Sequence, residues 1–225
     1  MKYLVNLAAL AVLAAAPVAA ATPDLNGVWQ VITPVTALTT TDGKAPPLTP
    51  AAQKVYDQRR QMAQTGDHSF DTTLKCKPMG EPRTAYDPSG GPFEILQNPK
   101  EVVFGYTWNR MIRFVYLSPK APDVIGPAYY GTATGVWHGD RLVIDAEGFH
   151  DTTLLDASGM PHTEDLRLTE TYQLANHGRI LDETIRFDDP ASFTRPWQTR
   201  ISYRRLPGAR IAEDVCIERL RVSGY

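Results

Sequence analysis

The feature that most constrains the fold is a series of short segments with alternating apolar and polar residues, which begins at Phe93 and runs to the C-terminal region. Alternation with a period of two is typical of β-strands that are buried on one face. Turn residues separate the segments. Asn98-Pro99 is one such turn, and Gly139-Asp140 suits a two-residue hairpin. The pattern predicts roughly eight or nine mostly antiparallel strands.

Regularly spaced antiparallel strands form either a meander closed into a barrel or a two-sheet sandwich. A barrel is favoured because it leaves no exposed edge strand and encloses space for a ligand. One early helix is expected around residues 48–64, where Thr49 can cap the first turn and Pro50 fits within it. We therefore predict a single all-β barrel domain over residues 22–225. Residues 22–92 provide a strand, the helix and a long loop, and residues 93–225 provide the meander.

Residues 1–21 have the pattern of a secretory signal peptide. Lys2 precedes the apolar run 4–16, and small residues follow, so we predict cleavage near Ala20 or Ala21. The run is shorter than a membrane-spanning helix, and no later run is long and apolar enough to cross a bilayer. We expect a periplasmic or secreted protein without stable membrane insertion.

Several functional classes lack their sequence signatures in this chain. The formal net charge of −2 offers no electrostatic attraction for nucleic acid. There is no G-x-S-x-G nucleophile motif and no glycine-rich phosphate loop between a strand and a helix. No Cys/His cluster has the spacing of a zinc site. We therefore expect no metal or other cofactor and a small molecule as the partner, with the oligomeric state left open.

The chain has two cysteines, Cys76 and Cys216. An even number of cysteines in an oxidising compartment favours a disulfide, and the alternative is a pair of free buried thiols. In the chain-entropy model, closing so long a loop stabilises a protein by about 4 kcal/mol. Cys76 lies in the long loop 64–92, so the bond would tie that loop down.

Two acidic residues are predicted on the inner face of adjacent strands. Glu170 alternates in phase with apolar residues in DLRLTETYQL, and Glu183 does so in the next strand. On an earlier strand, Arg113 lies in phase with Val115, but both faces of that strand are apolar and its inward side is ambiguous. Buried carboxylates must be paired, hydrogen-bonded or neutral. They therefore form either an internal ion-pair network with Arg113 or Arg83, or the polar floor of a ligand site.

The loop 148–165 contains candidate proton-transfer residues. His150 is next to Asp151, which can hold an imidazole in one tautomer, and His162 lies where the loop enters the strand of Glu170. The alternative is that these polar residues cap the loop's own backbone. Together with Glu164 they are acceptable metal ligands, but their spacing matches no compact metal motif.

Aromatic residues are numerous and mostly expected in the core. If the barrel is open at one end, some would line a pocket for a flat or apolar ligand. The candidate ligand-binding residues are Arg113, Arg83, Tyr130, Tyr172, Trp197 and Glu164.

Several longer pieces of the sequence resemble a broad group of secreted bacterial proteins with a lipocalin-like barrel. The pieces are KCKPMGEPR, GVWHGDRLVIDAEGFHD, PHTEDLRLTETY, DETIRFDDPASFTRPW and EDVCIE, which span most of the chain from residue 75. The group often has Asn at the position of His150 and His-Pro at that of Ala121-Pro122. The resemblance implies a barrel and export, and it implies no reaction. The positions that match the group's pattern are Cys76, Arg83, Arg113, Trp137, Asp140, Asp151, His162, Glu164, Glu170, Asp189, Pro190 and Trp197.

These observations predict an exported, cofactor-free enzyme that performs acid/base chemistry on an aromatic or apolar substrate in a barrel pocket. Lyase, isomerase, dehydratase and hydrolase reactions all fit this description. The alternatives are a non-catalytic binding protein for the same ligands and a structural envelope protein. The candidate catalytic residues are His162, His150, Asp151, Glu170 and Glu183.

Overall fold

The computed structural model describes residues 22–123 and 126–222. The predicted signal peptide, residues 1–21, lies outside the described residues. No helix in the described part of the chain is long and apolar enough to span a membrane.

The predicted barrel is confirmed. Within the described residues, nine strands form one closed sheet in sequence order, and β1 pairs with both β2 and β9 to close it. The N-terminal region therefore contributes one strand to the barrel. The strands are β1 (Gly27–Val31), β2 (Phe93–Gln97), β3 (Glu101–Tyr106), β4 (Ile112–Tyr116), β5 (Thr132–His138), β6 (Arg141–Glu147), β7 (Arg167–Ala175), β8 (Ile180–Asp188) and β9 (Trp197–Arg205).

In the part of the chain that the structure describes, three α-helices accompany the barrel: α1 (Pro50–Gln64), α2 (Arg83–Tyr86) and α3 (Cys216–Val222). The first is the helix expected from the sequence. The Thr49 hydroxyl accepts a hydrogen bond from the Ala52 backbone N–H at 3.2 Å, as an N-cap does. Short 3₁₀ turns cover Thr72–Lys75 and Trp108–Arg110.

One strand pair departs from the predicted antiparallel meander. β4 and β5 are parallel, and their register pairs Val115 with Ala133 and Tyr116 with Thr134. The connection through residues 117–131 is long enough to return the chain to the start of a parallel neighbour. Because this ladder begins at Val115, the part of β4 before Val115 and the chain leading into β5 diverge, which opens the barrel wall at this point.

The predicted inner faces of β7 and β8 are confirmed. Glu170 is paired in register with Ile144 and Ile185, and Tyr172 is paired with Glu183. All are buried. The ambiguous strand β4 turns Arg113 inward, next to Phe104 of β3.

Residues 79–87 form a buried segment that we call the plug. Every one of its residues is buried. The Tyr86 hydroxyl donates to the Leu155 carbonyl at 2.5 Å, which joins the plug to the loop after β6. The long loop 64–92 is therefore a packed part of the domain.

The predicted disulfide is also confirmed. Cys76 and Cys216 are bonded, with 5.6 Å between their Cα atoms. Around it lies a small hydrophobic cluster that includes Met79 of the plug and Trp108. The bond thus holds the loop before the plug against α3.

Replacing both cysteines by serine is expected to lower the free energy of unfolding by about 2–5 kcal/mol, because the bond closes a segment with a sequence separation of 140. Equilibrium unfolding in urea measures the change. Dithiothreitol should lower the wild-type midpoint to that of C76S/C216S and leave the variant unchanged. Equal midpoints for the oxidised wild type and the variant would contradict a stabilising role.

Candidate functional site

An ionic cluster occupies the barrel interior. The two terminal guanidinium nitrogens of Arg113 both donate to the carboxylate of Glu170, one of them at 3.0 Å. The same guanidinium lies 3.4 Å from the carboxylate of Glu81, which enters the barrel from the plug. The side chains of all three residues are almost completely inaccessible to solvent. One buried cation therefore lies against two carboxyl groups.

Tyrosine hydroxyls donate to one oxygen of each carboxyl group in and beside this ion pair, while the other oxygens of Glu81 and Glu183 have no hydrogen-bond partner within the described residues. Tyr106 donates to Glu81 at 2.7 Å, and Tyr172 donates to Glu170 at 3.3 Å. On the neighbouring strands, Tyr203 donates to Glu183 at 2.5 Å. We call these seven residues the interior cluster: Glu81, Tyr106, Arg113, Glu170, Tyr172, Glu183 and Tyr203.

Burial controls the ionisation of the cluster. Loss of hydration raises the pKa of Glu81 to about 7, although the Arg113 charge opposes the shift. Loss of hydration, together with the Glu170 charge, raises the pKa of Glu183 well above its usual value. A carboxyl with a strongly raised pKa keeps its proton in the folded state at neutral pH. The interior therefore favours a neutral Glu183 beside the Arg113–Glu170 pair.

Aromatic rings pack closely around the cluster. The Phe104 ring centroid lies 5.6 Å from the ring of Tyr172, and Phe93 meets Tyr203 edge-on at 5.0 Å. Glu170 and Glu183 have no exposed surface. For Glu170 the structure shows the expected ion pair with Arg113, whereas Glu183 has a hydrogen bond from Tyr203 and no ion pair within the described residues. Both acids are enclosed by side chains.

Each ring nitrogen of His162, in the loop 148–165, has a hydrogen-bond partner. Nε2 of His162 is 2.6 Å from the Thr153 hydroxyl, and Nδ1 is 2.9 Å from the Thr163 carbonyl. Burial lowers the pKa of His162, which favours the neutral ring. With both nitrogens bonded to the protein and 5% of its surface exposed, His162 ties the loop together.

The other imidazole lies closer to the surface. The His150 ring stacks on Tyr129 with 5.2 Å between centroids, and its Nδ1 is 3.1 Å from the Thr152 hydroxyl. The carboxylate of Asp151, which is exposed, lies 3.5 Å from the same nitrogen. His150 and Asp151 thus lie close together outside the barrel interior, and the hydrogen-bond partner of Nδ1 is Thr152.

The other candidate ligand-binding residues are dispersed. Arg83 donates to Asp87 at 2.6 Å and to Asp71 at 2.7 Å, so its charge is used to hold the plug. Trp197 is buried and stacks on Phe187 at 4.3 Å. Glu164 is exposed on a separate surface.

A cleft of about 350 Å³ opens where β4 and β5 diverge. Residues 111–114 and 116 line one side, and residues 128–132 line the other. We call this cleft the side cleft. Both sides contribute aromatic side chains: Phe114 and Tyr116 on β4, and Tyr129 and Tyr130 opposite. Arg113 connects the two regions, because it belongs to both the cleft lining and the interior cluster.

Tyr130 is the second link between the side cleft and the interior. Its ring stacks on Tyr106 with 5.4 Å between centroids, and its hydroxyl is 3.2 Å from that of Thr84 in the plug. Three residues that the sequence nominated for the site therefore lie at or next to the side cleft. Arg113 and Tyr130 line it, and His150 stacks on the lining residue Tyr129.

The sequence did not identify Glu81 as a site residue, and it placed Tyr106 and Tyr129 only among the aromatic residues that are mostly expected in the core. Glu81 lies in a loop whose residues show no periodicity, so its inward orientation has no local signal. The one signal for Glu81 in the sequence is its position two residues before Arg83 in KCKPMGEPR, a piece that resembles the secreted bacterial group.

No group of three or more His, Cys, Asp or Glu side chains within residues 22–123 and 126–222 is placed to hold a metal ion. Comparison of the chain with protein-family models, curated proteins and solved structures finds no match. The resemblance to the secreted bacterial group therefore stays a prediction.

Proposed function

We propose that the protein is exported to the periplasm and binds a small aromatic or apolar molecule in the side cleft. The observation that carries this proposal is the composition of the cleft lining, in which aromatic and aliphatic side chains surround one charged residue, Arg113, that is already paired. Small-molecule sites combine such an apolar lining with few polar groups.

The size of the side cleft supports a compact ligand. About 350 Å³ lies at the lower end of the range for small-molecule sites. Ile112 is 54% exposed and Phe114 is 47% exposed, so both retain apolar surface that a ligand can cover. Covering such surface is favourable by roughly 25 cal/mol per Å².

Export is supported by two features. The predicted leader, residues 1–21, begins the chain, and the Cys76–Cys216 disulfide is the type of bond that persists in an oxidising compartment.

A second candidate function is cofactor-free acid/base catalysis on the same class of molecule. It is favoured by Glu81, whose carboxyl has a pKa raised to about 7 and lies 3.4 Å from the Arg113 guanidinium in the cleft lining. A general acid or base works best with a pKa near the working pH. His150 at the rim would be the second proton-transfer group. In this case E81Q lowers the turnover rate and leaves ligand affinity within twofold, roughly.

A pair of alanine variants tests where the ligand binds. Ile112→Ala is expected to weaken binding of a neutral aromatic probe such as acetophenone by roughly five- to thirtyfold, because it removes about 1–2 kcal/mol of apolar contact. Leu96→Ala is the matched control. Leu96 is 56% exposed on nearby β2 and lies outside the cleft, so its replacement should leave affinity unchanged.

Isothermal titration calorimetry measures both variants beside the wild type. The proposal is overturned if acetophenone and other neutral aromatic probes do not bind the wild type. It is also overturned if Leu96→Ala and Ile112→Ala weaken binding equally, since the ligand would then lie elsewhere on the outer surface.

A further inference from the structure

We infer that the side cleft selects an uncharged aromatic ligand that carries a hydrogen-bond acceptor, such as a carbonyl or ether oxygen. The inference rests on the proposed binding function, and it adds the chemical class of the ligand.

The charges around the cleft disfavour an ionic ligand. Arg113 is the one charged residue in the described lining, and the carboxyl groups of Glu170 and Glu81 lie against its guanidinium. A ligand anion that approaches Arg113 would also approach these two carboxyl groups, whose charge already compensates the guanidinium. A ligand cation would face the guanidinium itself. Either ion would lose hydration in the cleft and find no unpaired opposite charge there.

One hydrogen-bond donor of the lining residue Arg113 has no partner within the described residues. The terminal nitrogens of Arg113 donate to Glu170, whereas its Nε is buried and has no hydrogen-bond partner within the described residues. A buried donor without a partner is unfavourable, and such a group in a native structure calls for an acceptor. Because Arg113 is one of the residues that line the cleft, a neutral acceptor oxygen that reached this nitrogen would give it a partner without adding charge.

The aromatic side chains of the cleft are the reason why we expect the ligand to contain an aromatic ring. Tyr129 is supported from behind by the stacked ring of His150, and Tyr130 by that of Tyr106. On the other side, Phe114 and Tyr116 lie parallel with 6.4 Å between their centroids. Aromatic side chains that are held in this way offer fixed apolar surfaces to a flat ring.

A ligand series on the wild-type protein tests the inference without disturbing the buried ion pair. The four probes have similar size: acetophenone, ethylbenzene, benzoate and benzylammonium, titrated at pH 7.5 and followed by calorimetry or by protein chemical shifts. We expect acetophenone to bind roughly three- to tenfold more tightly than ethylbenzene, the gain of one hydrogen bond. It should also bind at least about tenfold more tightly than either ion.

The outcomes separate the two proposals. Equal affinity for acetophenone and ethylbenzene, with both weakened in Ile112→Ala, overturns the acceptor preference and leaves the binding function standing. Tightest binding of benzoate or benzylammonium overturns the preference for an uncharged ligand. No binding of any probe overturns the proposed function together with this inference.

Discussion

Arg113→Met is expected to lower the free energy of unfolding by about 3–5 kcal/mol at pH 7, because it leaves buried carboxyl groups without their cation. Glu170 has no exposed surface, and Glu81 is equally enclosed. Neither carboxyl can recover the interaction with water. Urea unfolding followed by tryptophan fluorescence measures the loss.

Two further variants test whether the loss of stability comes from the buried ion pair. Arg186→Met removes an arginine from the surface pair with Asp188, whose side chains are 40% and 32% exposed, and it should cost less than about 1 kcal/mol. The double variant R113M/E170Q should recover part of the loss, because it removes a buried charge together with its partner. A loss at Arg113 no larger than that at Arg186 would contradict the buried ion pair.

Glu183→Gln is expected to remove a pH dependence of stability. The folded protein keeps a proton on Glu183, since burial raises its pKa well above 4.5, whereas the unfolded chain loses that proton near pH 4.5. Above pH 4.5 the folded state therefore binds one more proton than the unfolded state. Stability falls as pH rises, by about 1.4 kcal/mol per pH unit, until the folded pKa is reached.

Between pH 7 and pH 9, Glu183 is expected to contribute most of the change in stability. Below pH 6.5, the lowered pKa of His162 acts in the opposite direction, and Glu81 changes charge near pH 7. Above pH 9, the buried tyrosines begin to contribute, because burial raises the pKa of Tyr203 and Tyr172 above 10. We expect wild-type stability to fall by up to about 2.7 kcal/mol over this window.

The amide of E183Q can still accept the Tyr203 hydroxyl hydrogen bond, and it does not titrate. Its free energy of unfolding should therefore be nearly constant from pH 7 to pH 9 and should exceed that of the wild type at pH 9. Parallel pH profiles for the two proteins would show that Glu183 is ionised in the folded state.

The strand pattern was predictable because each strand has its own local signal. The alternation in β7 and β8 identifies the faces of Glu170 and Glu183, since a single period of two places every second residue inside. In β4 the same signal is ambiguous, because its outer residues are also apolar. The structure supplies the reason: Ile112 and Phe114 line the side cleft.

The cleft and the plug could not be predicted in this way. The parallel pairing of β4 with β5 depends on the path of residues 117–131, which has no periodic pattern. Glu81 reaches Arg113 only because the plug folds into the barrel, a contact between positions far apart in sequence. Both features depend on tertiary packing, and the candidate site depends on both.

The central claim is that the ligand site lies in the barrel wall and that the interior is closed. A crystal structure of the wild-type protein with acetophenone tests this claim most directly. We predict that the ring lies between Phe114 and Tyr129 with its oxygen on the Arg113 side, and that the contacts of Glu170 and Glu183 are unchanged. A ligand found inside the barrel against Glu170 and Glu183, with the plug displaced, would contradict it.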